Sequence, residues 1–262
     1  MAEMEYGNII SIEALAPDIY SMWIRCRAAY TSRPGQFISL YMDDGVHLLP
    51  RPISICDYDA EKGALRIVFR ILGEGTAKLS KMLPGDSVRL MGPLGNGYPL
   101  DEVKGKESVL LVAGGIGIPP MVALAKEIKK NNQDIRIISV MGYRDSHIFL
   151  QNELEEVSEF KITTDDGSMG FHGTVTDFLK NNDVRPEIIL SCGPKPMLRS
   201  LYEFSENIKS TLYVSMEERM ACGIGACLAC VCKTKDMDDH SKVKNARVCK
   251  DGPVFKASEV EL

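Results

Sequence analysis

The sequence has no excess of positive charge. Its 262 residues contain 31 Lys and Arg against 36 Asp and Glu, which gives a formal net charge of −5. Proteins that bind nucleic acids or membrane surfaces through their charge need a basic face. The composition therefore argues against both classes, and we expect neither nucleic acid nor membrane as a partner.

Segments for export or membrane insertion are also missing. Glu3 and Glu5 lie close to the N-terminus, where a secretory signal would need an apolar core. The longest uncharged run, residues 109–125, contains three glycines and two prolines. It therefore predicts a strand, a turn and a helix rather than a membrane span. We expect a cytoplasmic protein.

Histidine is scarce, with only four residues in the chain. They are scattered, and they show neither the spacing of a histidine metal site nor that of a catalytic triad. We expect structural or surface roles for all four, which are His47, His147, His172 and His240.

Cysteine is more informative, because its eight residues are unevenly distributed. Cys26, Cys56 and Cys192 are isolated, whereas the other five lie within the last 41 residues. In a reducing compartment, such a local cluster indicates a metal centre rather than disulfides.

The spacing of these cysteines is typical of one kind of centre. Cys222, Cys227 and Cys230 follow the C-x4-C-x2-C pattern of plant-type 2Fe–2S proteins, and Cys249 supplies the distant fourth thiolate. A structural zinc site, the main alternative, usually pairs two C-x2-C knuckles, and only one is present. We expect these four cysteines to hold a 2Fe–2S cluster and the extra Cys232 not to be a ligand.

A second pattern indicates a flavin nucleotide. A serine hydroxyl can bond a flavin nitrogen, arginines can hold phosphate, and a glycine–threonine pair can open a helix whose free N–H groups suit a pyrophosphate. We expect that helix over residues 77–83. Taken alone, the first arginine and proline would equally suit an edge strand with a surface charge. The candidate residues are Arg51, Pro52, Ile53, Ser54, Val68, Phe69, Arg70, Gly75 and Thr76.

Two further turns lie where nucleotides bind in parallel sheets. One is a glycine-rich turn between an apolar run at residues 109–113 and a helical pattern at residues 120–130. It does not match G-x-G-x-x-G, so a plain strand–helix turn is the alternative. The other turn follows the apolar run 188–191, at the end of a strand where ligands bind. The candidates are Gly114, Gly115 and Gly117, and Cys192, Gly193 and Pro194.

The order of patterns predicts the architecture. Short strand-like runs separated by turn signals predict an antiparallel β-barrel or sandwich over residues 1–100. Apolar runs that alternate with helical stretches predict a parallel-sheet α/β domain over residues 101–215. Residues 216–262 have no such rhythm. We expect a small iron–sulfur segment there, organised by its metal.

The motifs in this order resemble a known superfamily. R-P-x-S at 51–54, G-x-G-T at 73–76, G-G-x-G-x-P-P at 114–120 and C-G-P-x-P-M at 192–197 are similar to those of the ferredoxin–NADP reductase superfamily, over about residues 5–215. The run M-A-C-G-I-G-A-C-L-A-C at 220–230 resembles one branch, the electron-transfer subunits of class B dihydroorotate dehydrogenases. A long polar insertion before Cys249 and the extra Cys232 depart from that branch.

The resemblance implies that residues 1–100 form an antiparallel flavin-binding β-barrel and residues 101–215 an NAD-binding α/β domain. It also implies FAD, a 2Fe–2S cluster and NAD as cofactors, and an FMN-containing catalytic subunit as partner in a heterotetramer of pyrimidine (UMP) biosynthesis. NAD(H) exchanges a hydride and the cluster a single electron, so FAD must lie between them. Electrons would pass from the partner's FMN through the cluster and FAD to NAD⁺. The chain offers no candidate base for dihydroorotate, so we expect no catalytic residue here. Related subunits of ferredoxin:NADP oxidoreductases, sulfide dehydrogenases or hydrogenases are the alternative.

Overall fold

The first six strands of the chain form a closed antiparallel barrel. The structure is a computed structural model that describes residues 3–237 and 242–262. His240 therefore lies outside the described residues. The strands pair in the order β1-β2-β5-β4-β3-β6. Their bounds are β1 Glu3–Ala16, β2 Ile19–Arg25, β3 Phe37–Tyr41, β4 Arg51–Asp59, β5 Ala64–Arg70 and β6 Ser87–Leu94. The predicted barrel is confirmed.

Alternation along the strands separates the barrel core from its outer face. On β3, Ile38 and Leu40 are fully buried in the barrel core. Side chains at successive strand positions point to opposite faces. Phe37 on the opposite face packs instead into the core of the neighbouring sheet. The outer face of β3 therefore contacts the rest of the molecule rather than solvent.

A seven-stranded sheet follows the barrel. Its order is β10-β9-β8-β7-β11-β12-β15, and every pairing except the last is parallel. In chain order its strands are β7 Ser108–Gly114, β8 Arg136–Tyr143, β9 Glu159–Thr164, β10 Phe171–His172, β11 Ile188–Cys192, β12 Thr211–Ser215 and β15 Val254–Lys256. The predicted parallel sheet is confirmed.

Helices connect these strands. They are α2 Pro119–Asn131, α3 Gln151–Glu155, α4 Val175–Asn181 and α5 Lys195–Ile208. The chain runs from β7 outward to β10 and then returns to β11 on the other side of β7. In such sheets, ligands bind at the point where the strand order reverses. The turns after β7 and β11 both lie at that point. Among the described residues, no helix is long and apolar enough to cross a membrane.

The short helix α1 differs from its predicted position. It spans Glu74–Leu79, so it begins three residues earlier and ends four residues earlier than the helix expected over residues 77–83. The Thr76 hydroxyl accepts hydrogen bonds from the backbone N–H groups of Leu72 and Gly73, at 2.9 and 3.3 Å. This local capping begins the helix at Glu74 and therefore shifts it toward the N-terminus.

Residues 216–262, called here the cysteine segment, join the parallel sheet. β13 Val231–Lys233 pairs with β14 Asn245–Arg247, and β15 Val254–Lys256 adds an antiparallel strand to β12. The segment also buries several apolar side chains in the same core as α5. These include Val248, Phe255 and Val260. The segment thus shares the core of the α/β sheet as well as carrying the cysteines.

Candidate cofactor sites

A cleft of about 620 Å³ lies between the barrel and the parallel sheet. Its barrel wall is built from β4 and β5, and its other wall comes from the residues that follow β12. We call it the central cleft. Seven of the nine predicted flavin residues line it, namely Pro52, Ile53, Ser54, Val68, Phe69, Arg70 and Thr76. Phe69 is fully buried in the barrel core.

Arg51 and Gly75 form a cationic cradle beside the central cleft. A Cβ atom at Gly75 would overlap the Arg51 guanidinium, so only glycine lets that group lie against α1. Arg51 also donates a hydrogen bond of 2.7 Å to the Leu49 carbonyl. The guanidinium is therefore held in place where a phosphate could bind it. The Thr76 hydroxyl is already used within the chain, by Leu72 and Gly73.

Arg70 links the barrel to the glycine-rich turn after β7. Its guanidinium lies 3.4 Å from the point where a Cβ would stand on Gly115, whose φ is +54°. Its charge also opposes the effect of burial on Glu217. Burial raises the pKa of this carboxyl group, and Arg70 lowers it. The Arg70 guanidinium therefore faces both the central cleft and the glycine-rich turn after β7.

The turns after β7 and β11 are packed against each other. A Cβ on Gly117 would overlap the backbone of Cys192, and one on Gly114 would come within 2.9 Å of the Met197 sulfur. A Cβ on Gly193 would meet the same methionine at 2.5 Å. The turns approach because β7 and β11 are neighbours in the sheet. These glycines thus permit close packing of the two turns at the edge of the sheet where its strand order reverses.

The four predicted ligand cysteines form two pairs. The N–H groups of Ala226 and Cys227 donate to the Cys222 sulfur at 3.3 and 3.4 Å, and the thiols of Cys222 and Cys227 also interact. The Cys249 N–H donates to the Cys230 sulfur at 3.4 Å. Among the described residues, no three His, Cys, Asp or Glu side chains are placed to hold a single metal ion. Two pairs of thiols match the donor set of a two-iron cluster.

The backbone around Cys222 favours a thiolate. Partial burial alone would raise the pKa of this thiol, but N–H groups of Ile224, Cys227 and Ala226 outweigh it and lower the pKa to about 6. Burial and the neighbouring Cys230 instead raise the pKa of Cys249 to about 12. N–H groups that point at sulfur orient cluster ligands and tune the potential of a cluster that they hold.

Cys232 has a different environment. It is buried on β13, where it is paired with Ala246. Burial raises the pKa of its thiol. Its side chain packs into the same core as Cys230 and Cys249, but it belongs to neither of the two cysteine pairs. This position agrees with the expectation that Cys232 is not a ligand, which stays a prediction.

Sequence reasoning missed one wall of the central cleft. Residues 215–220 and Pro253 line it, as does Lys195, which forms an ion pair with Glu218 at 2.5 Å. Residues 215–220 could have been found from the sequence, because they begin at the carboxyl end of β12, and ligands bind at such strand ends. The stretch also leads into Cys222 two residues after Met220, so the cleft and the cysteines are adjacent along the chain.

Two family models match the chain. The oxidoreductase NAD-binding domain matches residues 111–202, and the iron–sulfur cluster binding domain of dihydroorotate dehydrogenase B matches residues 217–261. Among solved structures, an NADH-dependent reduced ferredoxin-NADP oxidoreductase superposes with a TM-score of 0.86 at 27% identity, over 97% of this chain and 89% of the other. A ferredoxin NADP⁺ reductase from Neisseria gonorrhoeae, at 19% identity and a TM-score of 0.68, covers 79% of this chain and 92% of its own length, and it supports the fold.

Curated relatives are similar over the whole chain. The dihydroorotate dehydrogenase B (NAD⁺) electron transfer subunit of Geobacillus kaustophilus is 40% identical over 265 residues, with all of both chains covered. The corresponding subunit of Fusobacterium nucleatum is 40% identical over 255 residues, which is 95% of each chain. The likeness includes both ends of the molecule, the barrel and the cysteine segment. The chain belongs to the family of dihydroorotate dehydrogenase B electron transfer subunits.

Proposed function

We propose that this chain is an oxidoreductase subunit that passes electrons from a catalytic subunit through a 2Fe–2S cluster and FAD to NAD⁺. The observation that carries the proposal is the continuity of two sites. The segment that closes the central cleft ends at Met220, and the cysteine pairs begin at Cys222. A cluster and a flavin bound at these sites would be neighbours, as an electron relay requires.

The barrel would supply the flavin site. FAD, when bound, exchanges a hydride with NAD(H) and single electrons with an iron–sulfur cluster. In the proposed site, Arg51 beside Gly75 binds the pyrophosphate, and the Ser54 hydroxyl and neighbouring backbone orient the flavin. The remaining flavin residues proposed here line the central cleft. They are Pro52, Ile53, Val68, Phe69, Arg70 and Thr76.

The parallel sheet would supply the nucleotide site. The turns after β7 and β11 lie at the reversal of strand order, where dinucleotides bind. Arg70 reaches the first of these turns from the barrel wall. A nicotinamide bound at this edge could therefore approach a flavin in the central cleft. The proposed residues are Gly114, Gly115, Gly117, Cys192, Gly193 and Pro194.

The cysteine segment would hold the cluster through Cys222, Cys227, Cys230 and Cys249, and it would contact the partner. Within the cysteine loop, residues 222–230, Ile224 is 53% exposed and Leu228 is 61% exposed. Apolar side chains at this level of exposure, beside a proposed electron carrier, suit a protein interface. We propose that they meet an FMN-containing catalytic subunit in a cytoplasmic heterotetramer. The chemistry on dihydroorotate belongs to that subunit.

Reconstitution tests the proposal. The purified chain should contain FAD and a 2Fe–2S cluster and should reduce artificial acceptors with NADH, but it should not oxidise dihydroorotate. Adding the FMN subunit should create NAD⁺-linked dihydroorotate oxidation. Dihydroorotate turnover by this chain alone, or no gain on mixing, would contradict the relay. Leu228→Glu should prevent the gain without changing the NADH reaction of the chain itself.

A second candidate is an FAD and 2Fe–2S subunit of another NAD(P)H-linked complex. It is favoured by the TM-score of 0.86 with the ferredoxin-NADP oxidoreductase structure. Under this alternative, mixing with the dihydroorotate-oxidising subunit would give no NAD⁺-linked oxidation of dihydroorotate. Reduced ferredoxin together with a nicotinamide nucleotide would instead support turnover in a complex isolated from cells.

A further inference from the structure

Ser39 carries a buried hydroxyl group with no partner. It lies on the outer face of β3, between Ile38 and Leu40, which point into the barrel core. Its side chain has no solvent exposure, and its hydroxyl makes no hydrogen bond to any residue that the structure describes. Such groups are uncommon in folded proteins, since an unpaired buried hydroxyl is costly. A bound group that accepts a hydrogen bond from the Ser39 hydroxyl would account for its burial.

The Ser39 hydroxyl is directed at the start of the cysteine loop. It lies 3.1 Å from the point where a Cβ would stand on Gly223, whose φ is +70°. Gly223 directly follows Cys222. The other atoms near that point belong to the side chains of Leu94 and Met91, at 3.4 and 3.5 Å. Ser39 is therefore the polar group in an otherwise apolar contact between the barrel and the loop.

The same face of the barrel adjoins the central cleft. Across the ladder Ser39 is paired with Pro52, which lines that cleft. Ser39 is thus placed between the proposed flavin site and the first cysteine of the proposed cluster. A hydrogen bond from this position would act on the electron carriers themselves.

Two further polar side chains, Tyr41 and Arg89, are cross-strand neighbours on the same face of the barrel. Tyr41, two residues along β3, lies 5.2 Å from the Arg89 guanidinium. Among the described residues, the Nε atom of Arg89 also has no hydrogen-bond partner. The charge of Arg89 is balanced by an ion pair with Asp43 at 3.0 Å. The Ser39 hydroxyl is therefore the group on this face that the structure places against the cysteine loop.

We propose that the Ser39 hydroxyl donates a hydrogen bond to a sulfur of the cluster held by the cysteine loop and raises its reduction potential. The proposal rests on the proposed function, because it needs the cluster. A reduced cluster carries more negative charge than an oxidised one, so a donor at its sulfur stabilises the reduced form. Ser39 would thus set how readily the cluster accepts an electron from the partner and passes it to the flavin.

Redox titration of the purified chain, followed by the EPR signal of the reduced cluster, tests this role. Ser39→Ala should lower the cluster's reduction potential by up to about 59 mV, which is a tenfold change in the one-electron reduction equilibrium. The flavin potential should not change. The matched control is Ser139→Ala, which removes another buried, unpartnered hydroxyl from the middle of the parallel sheet. It should leave both potentials unchanged.

A second pair of variants separates the hydroxyl from packing. Ser39→Thr and Ser39→Val fill the same volume, but only threonine keeps the donor. The threonine variant should have the higher cluster potential, and this comparison decides the matter if Ser39→Ala loses its cluster. Equal potentials in the two variants, or a shift of the flavin alone, would overturn the role of Ser39. A parent chain without any cluster would overturn the proposed function as well.

Discussion

The barrel and the cysteine segment hold their candidate cofactor residues in different ways. The barrel is a closed set of six strands around its own core, so its flavin residues stand on a scaffold that does not need the flavin. In the described part of the cysteine segment there are three strands of three residues each, and their apolar side chains pack into the core of the α/β sheet. The difference suggests that FAD binds a preformed surface, whereas the cluster also organises the segment that binds it.

The largest expected effect is removal of a cluster ligand. Cys249→Ser should abolish the cluster, because one iron loses a thiolate, and the cysteine segment should become sensitive to proteases. The barrel should still retain FAD. Iron analysis, the EPR signal of the reduced chain and the flavin absorbance measure these outcomes.

Cys232→Ser is the matched control for this comparison, since it replaces a cysteine that is buried in the same core as Cys249 but belongs to neither cysteine pair. It should keep its iron and its EPR signal. Normal cluster content in Cys249→Ser, or loss of the cluster in Cys232→Ser, would contradict the ligand assignment.

The second prediction concerns the preformed flavin surface. Arg51→Ala should weaken FAD binding by about tenfold to a hundredfold, since a charge-assisted hydrogen bond contributes about 1.5–3 kcal/mol. The fold and the cluster should persist. The measurement is FAD affinity by fluorescence titration of the deflavinated chain. The control is Arg27→Ala, which removes an exposed arginine that pairs with Glu3 and Glu5 and does not line the central cleft. It should bind FAD like the parent. Unchanged affinity in Arg51→Ala would leave this arginine a structural role only.

The third prediction sharpens the view of the cysteine segment as the weaker scaffold. Arg247 bonds both oxygens of the Asp251 carboxylate at 2.9 Å and donates to the Gly225 carbonyl at 3.3 Å. It therefore ties the loop around the first cysteines to the turn that follows Cys249. Arg247→Leu should destabilise the segment by about 1–2 kcal/mol, which is a factor of about 5–30 in its opening. Iron release to a chelator should accelerate accordingly, with FAD retained.

The control for Arg247 is another arginine–carboxylate pair. Arg136 bonds Glu159 through two hydrogen bonds of 2.6 and 2.8 Å in the parallel sheet. Arg136→Leu should leave iron release at the parent rate. If both variants released iron equally fast, global destabilisation would explain the result, and the local role of Arg247 would be excluded.

Much of this arrangement could be predicted from the sequence, because its signals are local. Period-2 alternation predicts the barrel strands, apolar runs predict the parallel strands, and the cysteine spacing predicts the ligand set. The contacts that join distant segments carry no such signal. Neither the approach of Ser39 to Gly223 nor the addition of the three-residue β15 to β12 follows from any pattern in the chain. The predicted bounds of helix α1 are wrong because the Thr76 hydroxyl accepts a hydrogen bond from the Leu72 N–H, and the helix therefore begins before Thr76.

The smallest expected effect lies at the joint between the two regions. The Asn96 side chain, just after the barrel, donates to the carbonyls of Lys250 and Asp251 at 3.3 and 3.1 Å. Its backbone N–H also donates to the Gly252 carbonyl, and substitution leaves that bond in place. Asn96→Ala should therefore cost only about 0.5–1.5 kcal/mol. Because the cost falls on the turn after Cys249, iron release should accelerate by no more than about tenfold. FAD affinity should stay the same.

Asn182→Ala is the control, because it removes a comparable side-chain hydrogen bond, to the Phe178 carbonyl on α4. It should change neither the rate of iron release nor the FAD affinity. If Asn96→Ala weakened FAD binding as much as it accelerated iron release, the barrel and the cysteine segment would be one cooperative unit. The contrast between a preformed flavin surface and a cluster-dependent segment would then be wrong.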